Sequence, residues 1–145
     1  MQDKGKAAEK AVTDWLVPRS NSDLEFAWMR LPDARSARGA IAAQPSDFKV
    51  SRKSHQCWHM EVKETVQVRR LSKSKIRQYG LLQKWWLAGV GALVVVHMTE
   101  IDTWTYLTGH DLFQHDVCPA SFLLSGPRYA TADELLSTLF GPIRS

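Results

Sequence analysis

Hydrophobic positions divide the chain into short segments of differing period. Ala7, Ala8, Val12, Trp15 and Leu16 recur at three- and four-residue spacing, which predicts a helix over Asp3–Val17. Pro18 and the polar run Arg19-Ser20-Asn21-Ser22 are expected to end it. Glu9 precedes Val12 by three residues and Leu16 by seven, which sets it beside the apolar face. Leu24, Phe26 and Trp28 alternate, so Leu24–Leu31 reads as a strand closed by Pro32-Asp33. Ala34–Gln44 has no period and reads as a loop. Asp47–Val50 and Cys57–Lys63 form a predicted hairpin around a polar connection, with Lys49, Arg52 and Lys53 making that loop basic. In the second of these strands Trp58, Met60 and Val62 face one way, and His59, Glu61 and Lys63 the other.

Ile76, Tyr79, Leu82, Trp86 and Val90 form a 3.6-period stripe that predicts a helix over Ser74–Ala88, capped by Ser72 or Ser74 and ended by Gly89. Leu93–His97 is a continuous β-branched run, the signature of a buried central strand. Thr103–Leu107 follows across the turn Glu100-Ile101-Asp102. Thr131-Ala-Asp-Glu134 is a capping box before Leu135, Leu136 and Leu139, so a short terminal helix is expected. The order is α-β-β-β-α-β-β-α. Its strand–helix–strand portion implies a crossover inside a mixed sheet. The expectation is one α/β domain over residues 1–145, a mixed central β-sheet flanked by helices.

Composition narrows the function classes only slightly. With 44% hydrophobic and 23% charged residues the chain is of ordinary globular make-up, not that of a disordered segment. The longest apolar run, Val90–Val96, is 7 residues; a membrane helix needs about 20. The first residues are charged and lack an apolar secretory core. Two cysteines, Cys57 and Cys118, do not make a disulfide scaffold and are expected to be small buried groups. A soluble cytoplasmic protein with no membrane partner is the expectation. The net charge of +4 permits a nucleic-acid partner without requiring one.

The chemistry-bearing residues change that picture. Asp47, in Pro45-Ser46-Asp47, begins one hairpin strand; Glu61 and Lys63, 14 and 16 residues later, share a face of the next. Across neighbouring strands the three can converge. Two carboxylates with room for water suit Mg²⁺. A lysine beside them can hold a water or offset phosphate charge. Glu9 could complete the set from the first helix.

Asp47…Glu61-x-Lys63 resembles the PD-(D/E)xK nuclease motif, and Gly5-x-x-x-Glu9 resembles the first helix of Holliday junction resolvases in that superfamily. Met60-Glu61-Val62-Lys63-Glu64-Thr65 is similar to the E-x-K-E-T block of RecU-type resolvases. A basic stretch, Gln78 on a helix, and a glycine (Gly89 or Gly91) leading into an apolar strand follow in the same succession. The resemblance covers Pro45–Leu107 well and Gly5–Glu9 loosely.

It implies a restriction-endonuclease-like core and a structure-selective endonuclease that leaves 5′-phosphate and 3′-hydroxyl ends. Asp47, Glu61 and the Val62 carbonyl would bind Mg²⁺, with Mn²⁺ as a substitute, and Glu9 would bind it directly or through water. Lys63 would orient the attacking water, and Gln78 would help to position it or the scissile phosphate. A homodimer would set one site on each of two strands of branched DNA. The sequence departs from the family in having no long basic N-terminal extension and a short Pro32–Gln44 segment where a junction-inserting stalk would stand. Arg35 and Arg38 are the residues expected in a shortened stalk. The compactness suggests a bacteriophage source, acting in the host cytoplasm.

Arg69–Arg77 carries Arg69, Arg70, Lys73, Lys75 and Arg77, five cations in nine residues. Such a run is often only a solvated face. Cations at the start of a helix oppose its dipole, which favours a docked phosphate as their reason. His55 and His59 are four apart but sit on a loop and a strand, so a zinc role is not expected. Trp86 follows the core stripe, whereas Trp85 packs at a sheet edge, meets a partner subunit or stacks on a base. Two alternatives stand beside the resolvase reading: an exonuclease or nickase of the same superfamily, and a non-catalytic DNA-binding module on that fold.

Overall fold

A parallel pair of strands forms the centre of the molecule. The computed structural model describes residues 5–32, 43–53 and 57–141. Strand β1 is Phe26–Arg30, β2 is Phe48–Arg52 and β3 is Trp58–Thr65; β4 is the short Arg70–Ser72, β5 is Gly91–Met98, β6 is Thr103–Thr108 and β7 is Ser121–Leu123. Helix α1 is Lys6–Ser22, α2 is Tyr79–Leu87, α3 is Gly109–Phe113 and α4 is Ala132–Phe140. The main sheet has the order β1-β2-β3-β5-β6, with β3 and β5 parallel and the other neighbours antiparallel. The expected crossover is present: α2 lies between the two parallel strands in sequence and packs on that sheet.

The sheet is covered on both faces. Met60, Val62, Leu93 and Val95 pack with α1 and α4 residues such as Val12, Leu16, Leu135 and Phe140. Ala92, Val94 and Val96 pack on the other side with Leu82, Leu112 and Phe122. Burial on both faces explains why β5 has no polar alternation. The alternation expected in β3 is observed, since Met60 and Val62 belong to the α1/α4 side and are buried there.

Several expectations need correction. Helix α1 does not stop at Pro18 but continues to Ser22. Proline removes one backbone hydrogen bond, yet the turn beyond it is held from outside. Arg19 is fully buried, over the rings of Trp15 and Phe26 (5.0 and 5.3 Å), and donates to the carbonyls of Phe140 and Gly141 at the end of α4. Leu24 is exposed and precedes β1. Arg52 is not a loop cation: it is buried and also donates to the Phe140 carbonyl.

Helix α2 begins at Tyr79, not Ser74. Residues Lys73–Lys75 form a 3-10 turn, and neither Ser72 nor Ser74 caps a helix with its side chain. Of the cations of Arg69–Arg77, Arg70 lies on β4, Lys73 and Lys75 lie on this turn and Arg69 precedes both; Arg77 alone stands at the start of α2, so the helix dipole accounts for none of the other four. Gly89, at φ +103, does end the helical segment. Thr131 caps α4 by accepting from the Glu134 N–H, while the Glu134 carboxylate reaches the Ala130 N–H. The β4–β7 pair and α3, too short for a readable period, were not anticipated. Cys118 is exposed and Cys57 half-buried, contrary to expectation. Arg35, Arg38 and His55 lie outside the described residues.

Candidate active site

Strand β2 pairs with β3 only from Phe48–Met60 to Val50–Trp58. Asp47 stands just before β2, where this ladder ends. Its Oδ2 accepts from the Val62 N–H at 2.9 Å, taking the place of the next ladder bond. In an extended strand the N–H and C=O of one residue point to the same edge, so the Val62 carbonyl faces the same gap. Glu61 and Lys63 flank Val62 on the opposite face, and Lys63 Nζ lies 3.0 Å from Glu61 Oε2.

Glu61 is buried, and the Lys63 ammonium is the cation paired with that Oε2. Burial first, then the Asp47 carboxylate, pushes Glu61 up to about 7, against the pull of Lys63. Asp47 is likewise raised by burial, opposed by the Val62 N–H and by Lys63. The two carboxylates and Lys63 thus interact as a group, short of positive charge.

Glu9 acts on both carboxylates electrostatically. Its Oε2, however, is paired with Arg30 at 2.7 Å. Among the described residues no three His, Cys, Asp or Glu side chains converge closely enough to hold a metal ion. The donors facing the gap are Asp47, Glu61 and the Val62 carbonyl, all hard oxygens. Mg²⁺ is commonly held by one or two carboxylates with waters and substrate phosphate completing its shell. This set of hard oxygens, with both carboxylates raised, fits such a cation.

A cleft of about 670 Å³ opens beside these residues, lined by Glu9, Val62, Lys63, Lys75 and Arg77 among others. Lys75 Nζ donates to the Glu64 carbonyl at 3.2 Å, and Arg77 is exposed. Lys73 lies over the Tyr79 ring (4.7 Å) and Arg70 reaches the Ser121 hydroxyl, while Arg69 is exposed. Lys75 and Arg77 thus border the acidic group, and Arg69, Arg70 and Lys73 extend the basic surface away from it. Gln78 is the N-cap residue of α2; it does not line the cleft, and its side chain has no contact with the acidic group among the described residues.

Sequence reasoning missed Arg30, which closes β1 and reaches across to α1. It also gave no role to Ser46 and His59. The buried Ser46 hydroxyl donates to the Phe48 carbonyl (2.8 Å) and pairs with His59 Nδ1 (3.1 Å). Because the hydroxyl proton is committed, His59 Nδ1 carries the hydrogen and donates. Burial, then Lys49, lowers His59 to about 4, so it is neutral. This bond ties the residue before Asp47 to the strand that carries Glu61. Trp85 packs edge-on against His59, at 5.1 Å between ring centroids, which favours packing over its other expected roles.

No protein-family model matches the chain, and no curated protein matches it. Among solved structures it is similar to Archaeoglobus fulgidus Hjc, a Holliday junction resolvase from an archaeal hyperthermophile. The identity is 18% and the TM-score 0.48, over 79% of this chain and 85% of that one.

Proposed function

We propose that this chain is a Mg²⁺-dependent DNA endonuclease of the PD-(D/E)xK superfamily, with a restriction-endonuclease-like core and a motif order similar to that of the RecU-type resolvases. Branched DNA is its substrate and a homodimer its working form. The observation that carries the reading is the buried Glu61 carboxylate, ion-paired with Lys63, beside Asp47 at the end of a strand ladder. The resemblance in motif order and the basic border of the cleft support it further.

Asp47, Glu61 and the Val62 carbonyl would hold the cation. Once bound, it would polarise the scissile phosphate and make a coordinated water more acidic. Lys63 holds a positive charge 3.0 Å from Glu61, where it can orient a water and offset charge growing on the phosphate. Lys75 and Arg77 bind the flanking backbone. Glu9 would join the set on releasing Arg30, which would then be available to a phosphate.

The test is incubation of the full chain with a synthetic four-way junction, a fork and linear duplex in Mg²⁺ or Mn²⁺. Symmetric paired nicks in the junction are expected, and Lys63→Ala should still bind the junction while losing cleavage. Progressive shortening of linear duplex would assign an exonuclease instead. The Arg30–Glu9 pair favours one further reading, in which an internal cation stands where a metal-dependent site would need an open carboxylate. That reading, a DNA-binding module without catalysis, is the conclusion if no DNA is cut and calorimetry detects no metal binding.

A further inference from the structure

Glu64 follows Lys63 and points to the opposite face of β3. Its carboxylate accepts from the backbone N–H groups of Gly5 (3.2 Å) and Ala8 (3.1 Å), at the first turn of α1. The first N–H groups of a helix have no partner within it and are ordinarily served by the N-cap side chain. The N-cap here is Gly5, which has no side chain and sits at φ +95, a conformation that favours glycine. Glu64, 59 residues distant in sequence, supplies the missing cap, and its charge complements the helix dipole.

This contact reaches the candidate site in two directions. Glu9 is the residue after Ala8, and its own N–H bonds to the Gly5 carbonyl at 3.0 Å. The turn that Glu64 grips is therefore the turn that carries Glu9. The Glu64 carbonyl in turn accepts from Lys75, one of the cations bordering the cleft. Beside the apolar packing of Ala8 and Val12 with Met60 and Val62, the Glu64 bonds tie the start of the helix to the strand bearing Glu61 and Lys63.

We propose that Glu64 is a positioning residue that caps α1 from β3 and thereby sets Glu9 against Asp47 and Glu61. The inference rests on the metal-dependent reading of that site. It also gives the Gly5-x-x-x-Glu9 spacing a physical meaning: the left-handed backbone at the N-cap favours glycine, which has no capping side chain and so leaves the first-turn N–H groups to a carboxylate from another element.

The experiment compares the full-length wild type with Glu64→Ala, Glu64→Gln, Glu9→Ala and the Glu9→Ala/Glu64→Ala double variant. Mn²⁺ affinity is read by calorimetry at a temperature where each variant is folded. Glu64→Ala is expected to weaken Mn²⁺ binding about 10-fold, the usual effect of removing a partner behind a ligand. Glu64→Gln, which keeps one acceptor, should fall between it and the wild type. The double variant should bind no more weakly than Glu9→Ala alone, because Glu64 acts through Glu9. Wild-type Mn²⁺ affinity in folded Glu64→Ala, or additive losses in the double variant, would overturn the proposal and leave Glu64 a stabilising cap only.

If the wild type itself binds no Mn²⁺, the nuclease reading fails, and the link is judged by nuclear magnetic resonance. Contacts between the Glu9 and Arg30 side chains and protection of the Ala8 and Glu9 amides should be lost in Glu64→Ala. Their persistence there would likewise overturn the proposal.

Discussion

At the scale of the residue, Glu61 sets the pH behaviour of the site. In the fold it keeps its proton up to about 7, whereas an exposed glutamate releases it near 4.5. Between these values the folded state binds more protons than the unfolded state, so this group's contribution to stability falls as pH rises through that window and is flat above it. Glu61→Gln, neutral at every pH, should remove this slope and be more stable than wild type at pH 8 in the presence of a chelator, by on the order of 2 kcal/mol. Adding Mg²⁺ or Mn²⁺ should raise the wild-type Tm at that pH and leave Glu61→Gln nearly unmoved. Urea unfolding across pH, with and without the cation, checks both. A wild type that gains stability from pH 5 to 7 relative to the variant contradicts the assignment.

At the scale of the element, α1 is defined by what grips its two ends. Glu64 holds its start, and Arg19 joins its last turn to the end of α4. Arg19 is also 3.7 Å from the buried Asp23 carboxylate. Arg19→Ala removes the partner of a buried charge, a donor to the Gly141 carbonyl and one of the two donors to the Phe140 carbonyl, so a loss of about 3 kcal/mol is expected. Denaturant unfolding measures it, and a loss below about 1 kcal/mol, the size of an exposed ion pair, would show that water replaces the guanidinium. The continuation of α1 through Pro18 belongs to the same account. Proline and the polar run argue locally for a stop, and the tertiary anchor on Arg19 overrides them.

At the scale of the whole molecule, charge is segregated. A net +4 spreads thinly over 145 residues, yet Lys75 and Arg77 border the cleft and Arg69, Arg70 and Lys73 continue from it. Junction binding should therefore weaken steeply with salt. Arg69→Ala and Arg77→Ala should each lower the logarithmic salt slope by about 1 without changing sequence preference. Fluorescence anisotropy with a non-hydrolysable junction at several salt concentrations tests this, and an unchanged slope would remove those residues from the interface. A dimer on the junction should appear in sedimentation as two chains per DNA.

The pattern of the chain determined the order of the main elements, the parallel crossover and the face shared by Glu61 and Lys63. These follow from periods of 2 and 3.6, which are local properties of the backbone. The D…ExK set was legible for the same reason: Glu61 and Lys63 are two apart on one strand, and Asp47 begins its neighbour. Contacts between distant segments were not legible. Nothing local marks Arg30 as the partner of Glu9, Glu64 as the cap of α1, or Arg19 and Arg52 as buried cations. Their charges read as surface until the sheet and helices bring helix-end N–H groups, carbonyls and a carboxylate within reach. The start of α2 differs from expectation because Ser74–Gln78 carries the right spacing while its backbone runs through the end of the 3-10 turn Lys73–Lys75 and a second turn before the helix begins. The amino-acid pattern thus determined which groups could do the chemistry, and the tertiary structure decided how their charges are paired, because pairing depends on distances that no local period encodes.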